Sequence, residues 1–140
     1  MKKIQVFLII AFIQALVAML GSLFFSEVLK LPPCILCWYQ RICMYPLVPI
    51  LLIGILRKDK KIAIYSLPMS LIGFIIALYH NLRYYDILPE SIQFCQSGVS
   101  CTTKYILWFG FISIPLLSLA AFFVISVCLF LSMKFPYKKK

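Results

Sequence analysis

Two pairs of closely spaced cysteines are the residues in this chain best suited to do chemistry. Cys34 and Cys37 have two residues between them, and Cys95 and Cys101 have five. In thiol–disulfide exchange a thiolate attacks a disulfide sulfur, so cysteines at these spacings can pass bonds to each other and to a partner protein. The two pairs therefore predict a redox relay. Structural disulfides and a zinc site made of four thiolates remain as alternatives.

Gln40 and an arginine follow the first pair. Cys34, Cys37 and Arg41 are spaced i, i+3, i+7, which places them on one face of a helix. An arginine that faces lipid costs about 2.5–3.5 kcal/mol at the bilayer centre. Two interpretations stay open: the side chain extends outwards to the headgroups, or its charge stabilises a Cys37 thiolate and an anion formed on a lipid-soluble acceptor.

Four further positions carry side chains that could take part in chemistry or in packing. His80, the single histidine, is expected to end the third helix on the cysteine side. It is either a polar boundary residue or a group that hydrogen-bonds the acceptor or gives it a proton. Gln14 is expected to hydrogen-bond between helices. Cys43 and Cys128 fall inside apolar segments, where a cysteine packs as a small hydrophobic residue.

The apolar character of the chain determines the fold that must position these residues. Hydrophobic residues make up 64% of the 140 positions and charged residues 13%, which is more apolar surface than a soluble domain of this size can bury. A bilayer core needs about 20 apolar residues per helix. We predict an all-α integral membrane protein, a single domain over residues 1–140 that forms a four-transmembrane-helix bundle with two short external loops. The predicted helices cover approximately residues 4–25, 38–56, 62–80 and 106–133.

Positive charge is distributed unevenly between the two ends of the predicted bundle. The net charge is +10, and ten of the 14 basic residues fall at one end. Basic residues favour the cytoplasmic side, so we expect both termini in the cytoplasm and the cysteine loops outside, where disulfides persist. Nucleic-acid binding is not expected, because no basic face carries stacking aromatic residues outside the lipid. The ten residues are Lys2, Lys3, Arg57, Lys58, Lys60, Lys61, Lys134, Lys138, Lys139 and Lys140.

The residues around both pairs also resemble a known family. Residues 34–42 read Cys-Ile-Leu-Cys-Trp-Tyr-Gln-Arg-Ile, and residues 44–47 read Met-Tyr-Pro-Leu. Together with Cys95-x5-Cys101 and the Thr-Thr-Lys-Tyr-Ile that follows it, these motifs resemble the DsbB family of disulfide bond formation proteins, most of all its small BdbC-type branch. The likeness covers the whole chain. The vitamin K epoxide reductases share a four-helix core, but their loop cysteines precede the CxxC, whereas here the CxxC comes first.

The resemblance implies a multi-pass oxidoreductase of the bacterial cytoplasmic membrane that makes disulfides with a quinone, either menaquinone or ubiquinone. Its partner would be a thioredoxin-like, extracytoplasmic thiol oxidase of the DsbA or BdbD kind. The reduced partner would attack the Cys95–Cys101 disulfide, with Cys95 forming the mixed disulfide.

Exchange with Cys34 and Cys37 would then regenerate that disulfide. Cys37 would pass two electrons to a quinone bound next to Arg41, with His80 also on the quinone side. The alternative is a non-enzymatic membrane scaffold with structural disulfides. A metal-binding membrane module comes third, and we expect no metal site.

Overall fold

The computed structural model describes residues 2–59, 61–87 and 113–134. Helix α1, Lys2–Leu23, continues into a π-helical turn at Phe24–Val28. Helices α2, α3 and α4 follow, and all four helical segments are long and apolar enough to cross a membrane. The predicted four-helix membrane fold is confirmed. The bounds of the last three helices are Ile35–Leu56, Ile62–Tyr84 and Ile114–Lys134.

The helices form a ring in which each packs against the helices before and after it, and α4 closes the ring against α1. Neighbours run antiparallel. On α3 and α4, the Ser70 and Ser126 hydroxyls lie 2.8 Å apart near the middle, while Asn81 donates to the Pro115 carbonyl at 2.7 Å near one end. Buried side chains such as Leu47 fill the centre of the ring. The outer faces carry exposed apolar residues, as a lipid-facing surface requires.

Helix α2 is the least apolar of the four spans, with a mean hydropathy of 1.5. It carries Gln40 and Arg41 among its residues. It begins at Ile35, three residues earlier than predicted, so Cys37 lies in its first turn. This helix therefore brings the polar side chains of Gln40 and Arg41 and two cysteines, Cys37 and Cys43, into the bundle.

The predicted end of α3 at His80 is wrong. The helix continues for four residues to Tyr84, so that His80 lies within it. The cause is tertiary: Asn81 and Tyr84 are buried, and the Asn81 amide donates to the carbonyls of Ala77 and Pro115. These contacts with α4 and within the helix satisfy the Asn81 NH2 group, whereas the Asn81 Oδ1 atom and the Tyr84 hydroxyl have no partner within the described residues. Residues 106–112 of the predicted fourth helix lie outside the described residues.

Two glycines allow the helices to approach closely. A methyl group added to Gly73 on α3 would overlap the ring of Phe122 on α4, and one added to Gly54 would lie 2.5 Å from Ile62. Phe122 is fully buried, so its ring would have to shift within the bundle to make room for such a methyl group. The α3–α4 contact therefore depends on the absence of a side chain at position 73.

Gly73→Ala should destabilise the bundle by about 1–3 kcal/mol, the usual cost of overpacking a dense core. The measurement is the thermal unfolding midpoint of the purified protein in detergent. Gly21→Ala is the matched control, because a methyl group there meets no atom within 4 Å. Equal midpoints for the two variants would contradict the close packing of α3 against α4.

Candidate functional site

The Cys34–Cys37 pair lies at the beginning of α2. Cys34 has an extended backbone, with φ −72° and ψ 168°, and caps the helix. Its sulfur accepts a hydrogen bond from the Cys37 backbone N–H at 3.3 Å, as a serine or aspartate oxygen does at many helix starts. Both residues are thiols; Cys34 is buried and Cys37 half-buried.

His80 lies directly against the Cys34 thiol. Its Nε2 atom is 3.7 Å from Cys34 Sγ, and its Nδ1 atom is 3.0 Å from Gln40 Nε2. All three side chains are buried. A continuous polar chain thus runs from Gln40 through the imidazole ring to the first cysteine, joining α2 to α3. His80 is consequently part of the cysteine site rather than a residue at the helix boundary.

The protonation of Cys34 is set by its surroundings. A hydrogen bond shared with the Cys37 side chain raises the pKa of Cys34 above its ordinary value, and burial raises it further. Cys34 therefore holds its proton, and the imidazole of His80, with Nε2 at 3.7 Å, is a second titratable group beside it.

Arg41 is held against α1. Its Nε donates to Ser22 Oγ at 2.9 Å and its Nη2 to the Ser22 carbonyl at 3.1 Å, while the guanidinium carbon lies 5.4 Å from the centroid of the Trp38 ring. The Ser22 carbonyl also accepts from the Ser26 hydroxyl at 3.3 Å, at the point where α1 changes to its π-helical turn. This geometry favours the second interpretation of Arg41, a fixed charge close to the cysteines.

One cavity of about 320 Å³ connects these residues. It is bounded by all four helices and by the segment before α2, and its volume is within the roughly 300–1,000 Å³ typical of small-molecule sites. Most of its walls are apolar, and among the described residues no aspartate or glutamate lines it. The lining residues that carry polar or sulfur atoms include Gln14, Ser22, Cys34, Cys37, Gln40, Arg41, Tyr45, His80, Tyr84 and Ser118.

Two tyrosine hydroxyls in the cavity wall were not expected from the sequence. Tyr45 and Tyr84 each bury a hydroxyl that has no hydrogen-bond partner within the described part of the chain. Gln14 also lines the cavity, and its predicted interhelical hydrogen bond is not found among residues 2–59, 61–87 and 113–134. Buried polar atoms of this kind are commonly paired with a ligand or water.

The remaining cysteines divide into two groups. Cys43 and Cys128 lie in the hydrophobic core and do not line the cavity, which agrees with a packing role. Cys95 and Cys101 lie outside the described residues. The structure thus places both cysteines of the first predicted pair, Cys34 and Cys37, in one site. The second pair stays a prediction.

Comparison with known proteins adds the family. The family model "Disulfide bond formation protein DsbB" matches residues 4–132. This chain belongs to the DsbB family. It is 50% identical over 127 residues to "Disulfide bond formation protein C" of Bacillus subtilis, covering 91% of this chain and 92% of that protein. No solved structure matches the chain significantly.

Two further relatives cover nearly the whole chain. "Probable disulfide formation protein C" of Halalkalibacterium halodurans is 48% identical over 128 residues, with 91% of this chain and 93% of that protein covered. "Probable disulfide formation protein C 1" of Bacillus anthracis is 46% identical over 138 residues, with 95% and 96% covered. Family and fold together identify this chain as a multi-pass membrane protein that takes part in disulfide bond formation and has an oxidoreductase role.

The Ser22 contact gives a stability prediction. Ser22→Ala removes the hydroxyl that accepts from the Arg41 guanidinium, and a hydrogen bond to a charged group contributes about 1.5–3 kcal/mol. We expect the lower end of that range, because Arg41 is only half-buried. Chemical unfolding in mixed micelles measures the difference. Ser22→Thr keeps the hydroxyl and serves as control; equal stability of the alanine and threonine variants would contradict the contact.

Proposed function

We propose that this DsbB-family protein generates disulfides with a quinone as electron acceptor. It then reoxidises a thioredoxin-like, extracytoplasmic thiol oxidase of the DsbA or BdbD kind by thiol–disulfide exchange. One observation carries the proposal: a single cavity inside the membrane bundle collects the Cys34–Cys37 thiols, the Arg41 charge and the His80 ring.

The cavity suits a quinone in shape and chemistry. Its apolar walls match a hydrophobic ring and tail, and its position among membrane helices gives access to lipid-soluble molecules. The Tyr45 and Tyr84 hydroxyls have no acceptor within the described residues, and quinone carbonyls are acceptors. A bound quinone, menaquinone or ubiquinone, supplies an acceptor for two electrons and two protons.

The side chains around the thiols handle the charge and the protons. When Cys34 and Cys37 join in a disulfide, they release two electrons and two protons in total. If the Gln40 amide is turned so that its oxygen accepts from His80 Nδ1–H, His80 Nε2, 3.7 Å from Cys34 Sγ, is unprotonated and receives the Cys34 proton. Arg41 lies one turn beyond Cys37 and offers a fixed positive charge where negative charge develops on that sulfur.

The second pair would link this site to the partner. In the proposal, the partner dithiol attacks the Cys95–Cys101 disulfide, and Cys95 forms the mixed disulfide. The two electrons then pass to the Cys34–Cys37 disulfide, which becomes the dithiol again. The sum is balanced: one partner dithiol and one quinone give one partner disulfide and one quinol.

The proposed orientation of the protein in the membrane rests on the uneven distribution of its basic residues. Ten basic residues at the end holding both termini and the 57–61 turn favour a cytoplasmic location for that end, in the cytoplasmic membrane of a bacterium. Cys34 would then lie near the external end of the bundle, on the side where an extracytoplasmic partner works. The scaffold alternative fits less well, since a purely structural pair needs neither a ligand-sized cavity nor a buried imidazole beside its sulfur.

The first test uses cysteine variants in a purified system. Cys34→Ser and Cys37→Ser should each abolish quinone-dependent oxidation of a dithiol partner, because neither variant can form the disulfide that passes electrons on. The assay follows partner thiols and quinone absorbance together. Cys43→Ser, a buried cysteine outside the cavity, should retain full turnover. Turnover that survives in Cys34→Ser or Cys37→Ser would rule out the proposal.

A second test separates quinone use from thiol exchange. Arg41→Met should reduce quinone-dependent turnover by about tenfold or more, equivalent to ~1.4 kcal/mol of transition-state stabilisation. A single round of disulfide exchange with the reduced partner should keep its rate, because that step does not involve the acceptor. Arg41→Lys, which retains the charge but loses the two-point contact with Ser22, should give an intermediate loss. Unchanged turnover in Arg41→Met would show that the charge has no part in quinone reduction.

A further inference from the structure

The thiols and the imidazole form a cluster of three soft or borderline metal ligands. The sulfur atoms of Cys34 and Cys37 and a ring nitrogen of His80 all lie within 4.8 Å of one another. They come from the start of α2 and from α3, so two helices hold them in place. Cys34 and His80 are 6% and 3% exposed, and a cation bound between them would be largely shielded from water.

The spacing agrees with tetrahedral zinc. With Zn–S near 2.3 Å and Zn–N near 2.0–2.1 Å, a sulfur and a nitrogen on one ion are about 3.6 Å apart. The observed distance from Cys34 Sγ to His80 Nε2 is 3.7 Å. A Cys-x2-Cys pair combined with a histidine is also a common set of zinc ligands. Little movement is needed to bring these atoms around one ion.

Gln40 provides the outer support that metal-bound histidines usually have. Its amide is 3.0 Å from His80 Nδ1. The amide Nε2 faces Nδ1, and a half-turn of the amide places its oxygen there instead, so that Nδ1–H donates to the oxygen and Nε2 is the unprotonated nitrogen that can coordinate a metal. Two thiolates neutralise one Zn²⁺, so the buried complex carries no net charge. Within residues 2–59, 61–87 and 113–134, no carboxylate lines the cavity to attract calcium or magnesium, which prefer oxygen ligands.

We propose that the reduced site binds one Zn²⁺ through Cys34, Cys37 and His80. Binding exchanges two thiol protons for the metal, and the fourth position of the ion faces the cavity. The disulfide form has no such site, because both thiolates are then used in the S–S bond. Zinc would bind only the dithiol state and, if the proposed function holds, would inhibit turnover by keeping electrons on the cysteines.

The test is metal binding to the full chain carrying Cys95→Ser and Cys101→Ser, so that the second pair contributes no ligands. The protein is reduced with a phosphine, freed of reductant and titrated in detergent with Zn²⁺, and with Co²⁺ as a spectroscopic probe. We expect one Zn²⁺ per chain, release of two protons, and thiolate-to-cobalt absorption in the near ultraviolet. After oxidation of Cys34 and Cys37 to the disulfide, no metal should bind.

Variants assign the ligands. Gln40→Leu should weaken zinc binding about 10–100-fold, the usual effect of removing an outer-shell partner. Cys34→Ser, Cys37→Ser and His80→Gln should weaken it more than Gln40→Leu does. Cys43→Ser and Cys128→Ser, both in the core away from the cavity, should bind zinc as tightly as the parent. Equal uptake by the disulfide form, or undiminished affinity in Cys34→Ser or His80→Gln, would overturn the inference.

Measuring quinone-dependent turnover of the unsubstituted chain with and without Zn²⁺ distinguishes failure of the metal site from failure of the proposed function. Inhibition by Zn²⁺ that a chelator reverses supports both. Quinone-dependent turnover in a protein whose reduced form binds no zinc contradicts the metal site and leaves the function intact. Zinc binding by a protein with no quinone-dependent turnover contradicts the function and leaves the metal site intact.

Discussion

The hydrogen-bonded chain from Gln40 through His80 to Cys34 is the interaction on which the site depends. Inside a membrane bundle, polar side chains lack water and must find partners within the protein. Gln40 and His80 meet this requirement by bonding to each other, and the other ring nitrogen then faces the Cys34 sulfur. The same contact joins α2 to α3 near their external ends under the proposed orientation. The hydrogen bond that pairs these buried polar side chains thus also holds the His80 ring beside the Cys34 thiol.

Arg41 satisfies the same requirement by bonding to a different helix, α1. Its guanidinium binds Ser22 on α1, where the π-helical turn leaves a backbone carbonyl that accepts two side-chain donors. Local π-helical turns often occur at functional sites, since they free backbone groups from the regular ladder. The residues of both polar contacts line the same cavity, and α4 also contributes to its wall. The Arg41 guanidinium is therefore held by α1 and the His80 ring by α2, and the cavity that both residues line stays open.

Much of the fold could be predicted from local sequence, because each span is a long apolar segment and the Pro32-Pro33 pair marks where α2 can begin. The spacing of Cys34, Cys37 and Arg41 likewise placed three site residues on one helix face. The end of α3 could not be predicted, because burial of Asn81 and Tyr84 against neighbouring helices outweighs their polarity. The Gln40–His80 and Arg41–Ser22 contacts join residues 40 and 19 positions apart, and no local pattern specifies such pairs. The tyrosine hydroxyls in the cavity wall follow only from the packing of all four helices.

The proposed function requires that the cavity beside Cys37 hold the electron acceptor. Photoaffinity labelling with a photoreactive quinone analogue, followed by peptide mass spectrometry, identifies the residues that contact the quinone. We expect labels on cavity residues such as Gln14, Arg41 and Tyr45, and their loss when excess unlabelled quinone competes. Labels confined to lipid-facing residues such as Ile42 and Ile75, or labels that quinone does not compete away, would contradict it.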